Sequence, residues 1–402
     1  MADDKNMIQI DSIRVENFKS LVAFEVKLAK FNCLIGLNGA GKTTVLQFID
    51  FLSRLMKGDM EGWLTERKWK LGDLKSKMSR KKNIPWYVEF SDKESKLSGT
   101  WSGTYNPVTH RASKEHIEFA GSSVSFGGDG IRFVYHEGKN EFQPQRLFEF
   151  QGSVISALRE SLLPESILDC KRFFSQIKSL ELLAPEYMRQ RTRESSGSIG
   201  LNGQNLASFI HELSTERKSS LFKSIQWVYP KVAGIATRSL RSGWKELFIA
   251  EDYTPREGIE AVAFFNEGIS TNARHLNDGM LRLIAFFAEL QSDHQFLLFD
   301  EIENGINPEL VEYVVDAMVT ANKQVVVTTH SPMILNFLED EDARRSVLYL
   351  YKTEYGETKA IPFFSIPSLA EKLTVMGPGE AFADTNLTEL GKEIQLVDKG
   401  DI

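Results

Sequence analysis

The chain has 402 residues, a net charge of −7, and 42% hydrophobic and 26% charged residues, a composition typical of a soluble globular protein of one large or two ordinary domains. No apolar run reaches the roughly 18 residues that a membrane span needs, and the polar, acidic start does not resemble a signal peptide. We therefore predict a cytoplasmic protein with no membrane partner, in which any contact with DNA comes from a local basic patch.

The N-terminal segment predicts three strands and a helix. Residues 8–18 alternate apolar and polar side chains, and residues 24–28 repeat the alternation, which predicts a hairpin. Residues 31–35 form an apolar run that ends in glycine, as a buried strand would. Residues 44–56 carry apolar side chains at helical spacing and predict a long helix.

The middle of the chain is more mixed. Short strands are predicted in the first part, with a turn at the glycines of residues 127–130. The next part predicts helices, a loop and then further strands. The predicted ranges are strands at 84–90, 97–105, 116–119 and 131–136, helix over 153–186, a loop at 189–203, one or two helices over 206–228, and strands over 231–263.

The last organised block alternates helix and strand. Helices are predicted at 280–290 and 308–320, and short apolar strands at 295–299 and 324–328. A strand–helix–strand unit with two buried strands predicts a parallel sheet with a right-handed crossover. The fold class is therefore α/β.

Residues 36–44 fit the phosphate-loop pattern G-x-x-x-x-G-K-[ST], between a predicted strand and a predicted helix. Glycines let backbone N–H groups turn inward around phosphates, and the helix N-terminus adds partial positive charge. Lys42 is expected to reach the β- and γ-phosphates and Thr43 to ligate Mg²⁺. The predicted ATP-binding residues of this loop are Gly36, Asn38, Gly39, Ala40, Gly41, Lys42, Thr43 and Thr44.

Two acids, Asp300 and Glu301, end the apolar strand at residues 295–299. Adjacent acids at the end of a buried strand are costly without a partner, and a Mg²⁺–nucleotide supplies one. Asp300 would hold the metal, and Glu301 would orient or deprotonate the attacking water. His330 ends the next apolar strand, where α/β proteins collect their chemistry, and would donate a hydrogen bond to the γ-phosphate.

Together these blocks resemble ABC-type ATPases of the RecF, SMC and OLD group. The opening strand and turn at residues 15–20, the signature-like Asp278-Gly279-Met280-Leu281-Arg282, the acid block at 300–308 and Thr329-His330-Ser331-Pro332 carry the resemblance. Gly203-Gln204-Asn205-Leu206 resembles an element of OLD-like members. The resemblance implies a P-loop ABC-type ATPase head with a mixed sheet, a β-rich lobe and an inserted helical region.

The resemblance also implies that ATP joins two copies, each phosphate loop facing the other copy's signature helix. Asn277, Asp278 and Gly279 would then act in trans on the γ-phosphate. A glutamine usually links the two lobes and senses Mg²⁺, and Gln151 is the candidate, with an ordinary surface glutamine as the alternative. The chain departs from the family pattern at Asn277 for serine, Ile302 for proline and Asn307 for histidine. Asparagine is a good N-cap, so it would still present a helix N-terminus.

We predict a single ABC-type ATPase domain over residues 1–402. Its parts are an N-terminal phosphate-loop half at 1–56, a β-rich lobe with a basic stretch at 57–150, a helical and mixed insertion at 151–270, and a C-terminal half with the signature, the acids and the switch histidine at 271–402.

The implied function is ATP hydrolysis with Mg²⁺ by a homodimer or higher oligomer. About 70 residues follow the His330 block, too few for the Toprim nuclease of OLD proteins. A separate nuclease or toxin effector is therefore predicted, with anti-phage defence as the setting. A RecF-like DNA-binding repair ATPase is the main alternative, and a transporter motor and a non-hydrolysing scaffold are two others.

A basic stretch between residues 67 and 82 provides the predicted DNA contacts, although such a run is more often a solvated face. Arg189, Arg191 and Arg193 form a second group. The residues of the basic stretch are Arg67, Lys68, Lys70, Lys75, Lys77, Arg80, Lys81 and Lys82.

Overall fold

The structure is a computed structural model that describes residues 7–136, 138–144, 149–194, 197–252 and 269–398. The chain divides into two compact units, which we call unit 1 and unit 2. Unit 1 holds residues 1–178, 295–298 and 322–402, and unit 2 holds residues 179–294 and 299–321. The predicted partition of a single domain into four parts stays a prediction.

Unit 1 contains an antiparallel sheet of eight strands in the order β2-β1-β4-β5-β6-β7-β8-β9. The predicted hairpin and β-rich lobe are confirmed and belong to one sheet. Strict alternation of buried and half-buried side chains along β4 shows why this segment forms a strand with one covered face. The bounds are β1 Ile8–Phe18, β2 Leu21–Lys27, β4 Ile84–Asp92, β5 Ser98–Asn106, β6 Arg111–Phe119, β7 Ser122–Gly127, β8 Gly130–Val134 and β9 Asn140–Pro144.

A second, mixed sheet has the order β10-β14-β15-β3-β16-β17. β3 pairs in parallel with β15 and β16, while β16 and β17 are antiparallel. The chain leaves unit 1 for unit 2 within β10 and again at the end of β14. The bounds are β3 Phe31–Ile35, β10 Ile177–Leu180, β14 Phe296–Phe299, β15 Gln324–Thr328, β16 Val347–Lys352 and β17 Thr358–Pro362.

The longest helix described in unit 1, α1, buries most of its side chains in the core. Phe48 and Phe51 of this helix form an aromatic cluster with Phe18, Trp63 and Tyr105 from other elements. No helix among the described residues is long and apolar enough to cross a membrane. The helices of unit 1 are α1 Lys42–Lys57, α2 Met60–Glu66, α3 Val154–Ala157, α4 Glu165–Ser175, α10 Pro332–Asn336, α11 Asp340–Ser346, α12 Pro367–Lys372, α13 Pro378–Ala383 and α14 Leu387–Asp398.

Unit 2 combines helices with a small antiparallel sheet of order β11-β12-β13. The predicted helices at 206–228 and 280–290 are confirmed, the first as two helices. The bounds are α5 Pro185–Met188, α6 Leu206–Glu212, α7 Thr215–Val228, β11 Val232–Ser239, β12 Lys245–Glu251, β13 Ile269–Asn272, α8 Asp278–Leu290 and α9 Val311–Thr320.

The prediction of continuous helical structure over residues 153–186 was wrong, because β10 interrupts it. Ile177, Ser179 and Leu180 are buried in the mixed sheet, and that burial outweighs the local helical pattern. The strands predicted over 231–263 are observed as β11 and β12, and the remainder of that prediction, from residue 253, lies outside the described residues.

Candidate nucleotide site and its surroundings

The loop between β3 and α1 is shaped by glycines and by the strands behind it. Gly36, Gly39 and Gly41 have φ angles of 144°, 78° and 109°. A Cβ atom on Gly36 would lie 2.3 Å from the carbonyl oxygen of Leu350, and one on Gly41 would lie 2.3 Å from Oγ1 of Thr358. Only glycine therefore fits at positions 36 and 41, whereas the space beside Gly39 is open.

Lys42 and the start of α1 give this loop its positive charge. The Nζ atom of Lys42 donates to the carbonyl oxygens of Gly36 (2.9 Å) and Leu37 (3.3 Å), and the side chain is buried. The helix begins after Gly41 without a side-chain cap and without an acid in its first turn. The N-terminal amide groups and the helix dipole are thus directed at a place suited to an anion. Thr43 is exposed in the same turn.

His330 leaves the mixed sheet beside the phosphate loop. Thr328 of β15 is paired with Leu34 of β3 in a parallel register, and Thr329 N donates to Leu34 O over 3.2 Å. Because the two strands end together, the segments that follow them emerge at the same edge of the sheet. The side chain of His330 is exposed.

The predicted adjacency of the acid strand and the histidine strand is confirmed. β14 and β15 are neighbours in the sheet, and Gln324 N, at the start of β15, donates to Gln295 O just before β14 over 2.9 Å. The strands therefore begin at the same end and run in the same direction. Asp300 and Glu301 follow β14 in the chain and belong to unit 2.

The acids begin a compact turn in unit 2. Asp300 N donates to Leu180 O over 3.3 Å, and Asn304 Nδ2 donates to Glu301 Oε2 over 3.4 Å. Glu301 has a φ of 49°, a left-handed conformation that is strained for a residue with a side chain. Such strain clusters at functional sites.

Two of the departures from the family pattern have structural roles in this turn. Ile302 is buried in place of the usual proline. Asn307 stands where the family has histidine and caps the turn at Pro308–Leu310, because its Oδ1 accepts from Glu309 N.

The N-terminus of α8 carries the signature-like residues. Asn277 caps the helix by accepting from Met280 N over 2.8 Å, which confirms the predicted N-cap. Asp278 Oδ1 accepts from Arg189 Nη2 over 2.5 Å, and this hydrogen bond holds the pKa of the Asp278 carboxyl below its ordinary value. Gly279 packs closely on the acid turn, since a Cβ there would lie 3.0 Å from Gly305 O.

Arg282 belongs to the signature-like stretch but had no predicted role, and it joins α8 to the acid turn. It is almost fully buried and donates to the carbonyl oxygens of Leu182 (3.0 Å), Leu183 (2.9 Å) and Asn304 (2.6 Å). A single arginine in the apolar run of residues 280–290 was the available sequence signal. The structure thus brings the phosphate loop together with His330 in unit 1, and residues 277–279 together with the acid turn in unit 2.

The assignment of Gln151 as a magnesium ligand is corrected by its position. Its Oε1 atom accepts from Glu61 N over 3.1 Å, and the following Ser153 N donates to Leu55 O over 2.8 Å. Leu55 lies near the C-terminal end of α1, about 20 Å along the helix from Lys42. Gln151 is therefore at the wrong end of α1 to reach a metal at Thr43.

The structure leaves fewer residues of the basic stretch available to contact DNA than the sequence predicts. The side chain of Arg67 is only 4% exposed and pairs with Asp50 over 2.8 Å. Burial raises the pKa of Asp50, but Arg67 and Arg54 outweigh it and hold that pKa below its ordinary value. Arg67 is thus a structural cation, and Lys81 pairs with Glu16. The predicted contact of the stretch with DNA stays a prediction for the other residues.

Comparisons with known proteins agree with this geometry. Residues 8–181 match a family described as "AAA ATPase domain", and residues 261–336 match one described as "AAA domain, putative AbiEii toxin, Type IV TA system". No curated protein matches the chain.

Two solved structures share the fold. One is an Smc head bound to the C-terminal winged-helix domain of ScpA, with 13% identity, a TM-score of 0.51, and coverage of 88% of this chain and 97% of that chain. The other is the Smc head domain with an extended coiled coil bound to the C-terminal domain of ScpA from Pyrococcus furiosus, with 12% identity, a TM-score of 0.50, and coverage of 92% and 100%. At this identity the likeness establishes the fold, which confirms the predicted α/β head. The chain therefore has the fold of an Smc head domain, and two stretches of its sequence are similar to AAA domain families.

Proposed function

We propose that this chain binds and hydrolyses ATP with Mg²⁺, and that the bound nucleotide switches it between separate and paired copies. The observation that carries the proposal is the phosphate loop of unit 1. Its glycines fit no larger residue at positions 36 and 41, and Lys42 is held beneath the loop by two carbonyl oxygens. A triphosphate would satisfy the helix N-terminus and the lysine together.

The residues available for Mg²⁺ fit its usual demands. Among the described residues, no group of three or more His, Cys, Asp or Glu side chains is arranged to hold a metal ion. Magnesium at a nucleotide typically takes one or two protein ligands and completes its octahedron with phosphate oxygens and water. The hydroxyl of Thr43 and the carboxylate of Asp300 are the oxygen ligands we propose. When bound, the ion would neutralise charge that develops on the phosphates.

The remaining side chains would perform the hydrolysis. Lys42 would bind the β- and γ-phosphates and counter the charge of the leaving group. Glu301 would accept a hydrogen bond from the attacking water and take its proton. His330 would donate a hydrogen bond to a γ-phosphate oxygen. The strained φ of Glu301 and the exposure of His330 at the loop's edge of the sheet support these assignments.

Pairing of two copies would complete each site. Asn277 and Asp278 are exposed at the N-terminus of the 13-residue helix α8, and Gly279 packs against the acid turn. We propose that this helix end contacts the γ-phosphate of ATP held by the other copy. Arg282 supports the proposal, because it ties the helix to the turn that holds Glu301. A change at the acids would therefore move the signature residues with them.

We further propose that the switch is OLD-like and controls a separate nuclease or toxin, with anti-phage defence as the setting. The match of residues 261–336 to a family whose description names an AbiEii toxin supports this reading. The related Smc heads were solved with a domain of ScpA bound, so heads of this fold do receive partner proteins.

The test of the switch is the Glu301→Gln variant, which should bind ATP without hydrolysing it and so remain paired. Light scattering in saturating ATP should show twice the monomer mass for this variant. The Lys42→Ala/Glu301→Gln double variant should stay at the monomer mass, and Glu309→Gln provides a control for loss of an exposed acid nearby. A Glu301→Gln protein that binds a fluorescent ATP analogue yet stays monomeric would contradict the paired-site mechanism.

The effector is tested separately, by affinity purification from the native host in Mg²⁺ and ATP with mass identification of bound proteins. A stoichiometric nuclease or toxin is the expected result. Recovery of the chain alone, or with nucleic acid only, would favour the RecF-like repair ATPase instead.

A further inference from the structure

Unit 2 carries an arginine-lined pocket that the proposed ATPase chemistry does not use. The pocket has a volume of about 560 Å³ and is lined by Arg189, Gln190, Arg191, Trp244 and Arg274. These residues come from three segments that are far apart in the sequence. The first segment is the arginine group noted above, and the fold adds the tryptophan and a further arginine to it.

Backbone pairing builds the pocket. Thr192 N donates to Lys245 O over 3.4 Å, and Lys245 N donates to Thr192 O over 2.7 Å. The pairing places the residues that flank Thr192 beside Trp244. The Cζ atom of Arg193 lies 4.9 Å from the centroid of the Trp244 ring, a cation–π contact. The backbone bridge thus holds Arg193 and the Trp244 ring together.

Two of the arginines have acidic partners and two do not. Arg189 pairs with Asp278, and Arg191 pairs with the buried Glu246. Within the part of the chain that the structure describes, Arg193 and Arg274 form no ion pair. In a chain with a net charge of −7, Arg193 at the Trp244 ring and Arg274 in the lining of the same pocket concentrate positive charge locally.

We propose that this pocket binds single-stranded nucleic acid, with a base against Trp244 and phosphates at Arg193 and Arg274. The Trp244 side chain is 39% exposed, which leaves ring surface for a base. A single strand offers unpaired bases that can stack on an aromatic ring, whereas the bases of a duplex are already paired and stacked on one another. The planar guanidinium fork matches a phosphate group, so two arginines can follow the strand's backbone. The site does not require ATP hydrolysis.

The test is fluorescence anisotropy with a labelled oligo-dT or oligo-rU of about 20 nucleotides. The protein is the full chain with the Lys42→Ala substitution, which prevents the phosphate loop from binding the oligonucleotide's phosphates or free nucleotide. Trp244→Ala should weaken binding about 5- to 150-fold, the range of one base–aromatic stack, and Trp244→Phe should retain most of it. Trp227→Ala is the matched control, because Trp227 is 66% exposed and makes a T-shaped contact with Tyr313 in the same unit.

Salt dependence tests the phosphate contacts. Arg193→Gln and Arg274→Gln should each reduce the slope of log affinity against log salt by about 0.7, the value for one phosphate of a single strand. Lys223→Gln, an exposed cation on α7, should leave the slope unchanged.

Three outcomes would overturn the proposal. They are equal binding by Trp244→Ala and Trp227→Ala, tighter binding of a duplex than of either single strand, and displacement of the oligonucleotide by free ATP at comparable concentration, which would assign the pocket to a free nucleotide.

Discussion

Two helices of this molecule begin where a phosphate group is expected, and their first turns are built differently. In unit 1, α1 follows Gly41 with no side-chain cap and no acid in its first turn. In unit 2, α8 follows Asn277, whose side chain already accepts from Met280 N, and Asp278 adds a carboxylate. The start of α1 thus leaves its amide groups for a ligand, whereas the start of α8 is structurally complete by itself.

The surroundings of the two helix ends differ in the same way. Backbone and hydroxyl oxygens of Leu350 and Thr358 crowd the loop before α1. Side chains of Arg189 and Arg282 hold the start of α8 and its neighbouring turn. We therefore expect the α1 end to tolerate no Cβ at Gly36 or Gly41, and the α8 end to respond to side-chain substitutions in small steps.

The largest expected effect is that of Lys42→Ala on ATP turnover. Removal of one pre-positioned cation from a transition state typically lowers turnover by about 10²- to 10³-fold. Addition of ATP and Mg²⁺ should raise the melting temperature of the wild-type chain and leave that of the variant unchanged. A phosphate-release assay and thermal unfolding measure both effects, with the exposed Lys27→Ala as control. Wild-type turnover in Lys42→Ala would show that hydrolysis comes from a contaminant or another site.

The next effect separates two glycines of the same loop. Gly36→Ala should lower the free energy of unfolding by about 2–5 kcal/mol, because it adds overlap with Leu350 O to backbone strain. Gly39→Ala should lower it by only about 1–2 kcal/mol, because the φ of 78° is strained but the space is open. Urea unfolding of both variants measures the difference. Equal losses in the free energy of unfolding would mean that the backbone at Leu350 moves to accommodate the Cβ at position 36.

A smaller effect is expected at the cap of α8. Asn277→Ala should lower the free energy of unfolding by about 1 kcal/mol, since Met280 N loses its acceptor. Asn277→Ser, which restores the usual residue of the family, should keep nearly all of the stability and the ATP turnover. Urea unfolding and a turnover assay on both variants measure this. If Asn277→Ser instead raised turnover several-fold while stability stayed the same, asparagine would be tuning the γ-phosphate contact rather than only capping the helix.

Both helix ends could be predicted from the sequence, whereas one strand of the mixed sheet could not. The phosphate loop is one contiguous pattern between a periodic strand and a periodic helix, so residues 36–44 and their elements could be placed in advance. The cap at Asn277 follows from local chemistry in the same way. β10 could not be placed, because four residues are too few to show a period and their burial comes from strands more than 100 residues away.

Long-range contacts account for the errors. Thr358 donates to Ala40 O from a strand 318 residues later in the chain, and no local sequence pattern predicts this hydrogen bond. Arg67 belongs to a basic run, but its partner Asp50 lies on the preceding long helix, so the run could not reveal a buried pair. Gln151 lies between a strand and a helix, as expected for the glutamine of this family. The order of the elements along the chain, however, does not determine which end of α1 this residue packs against.

The smallest expected effect concerns Asp278, whose ion pair with Arg189 is exposed. Its pKa in the folded chain lies below the ordinary value of 3.8, chiefly because Arg189 donates a hydrogen bond to it. A lowered pKa contributes stability that is present above the unfolded-state value and is lost as the pH falls through the folded-state value. Asp278→Asn should therefore be slightly less stable than wild type at pH 7, by less than the loss from Asn277→Ala, because exposed pairs contribute little.

That difference should shrink once the pH falls below about 3.8, because the carboxyl of the unfolded chain takes up its proton before that of the folded chain does. Urea unfolding of both proteins at pH 7 and pH 3 measures it, and 0.5 M salt at pH 7 should reduce it in the same direction by screening. A difference that grew on acidification would have the wrong sign for this pair. It would mean that Asp278 stabilises the start of α8 through its protonated form, and the contrast between the two helix ends would then have to be explained without the Arg189 contact.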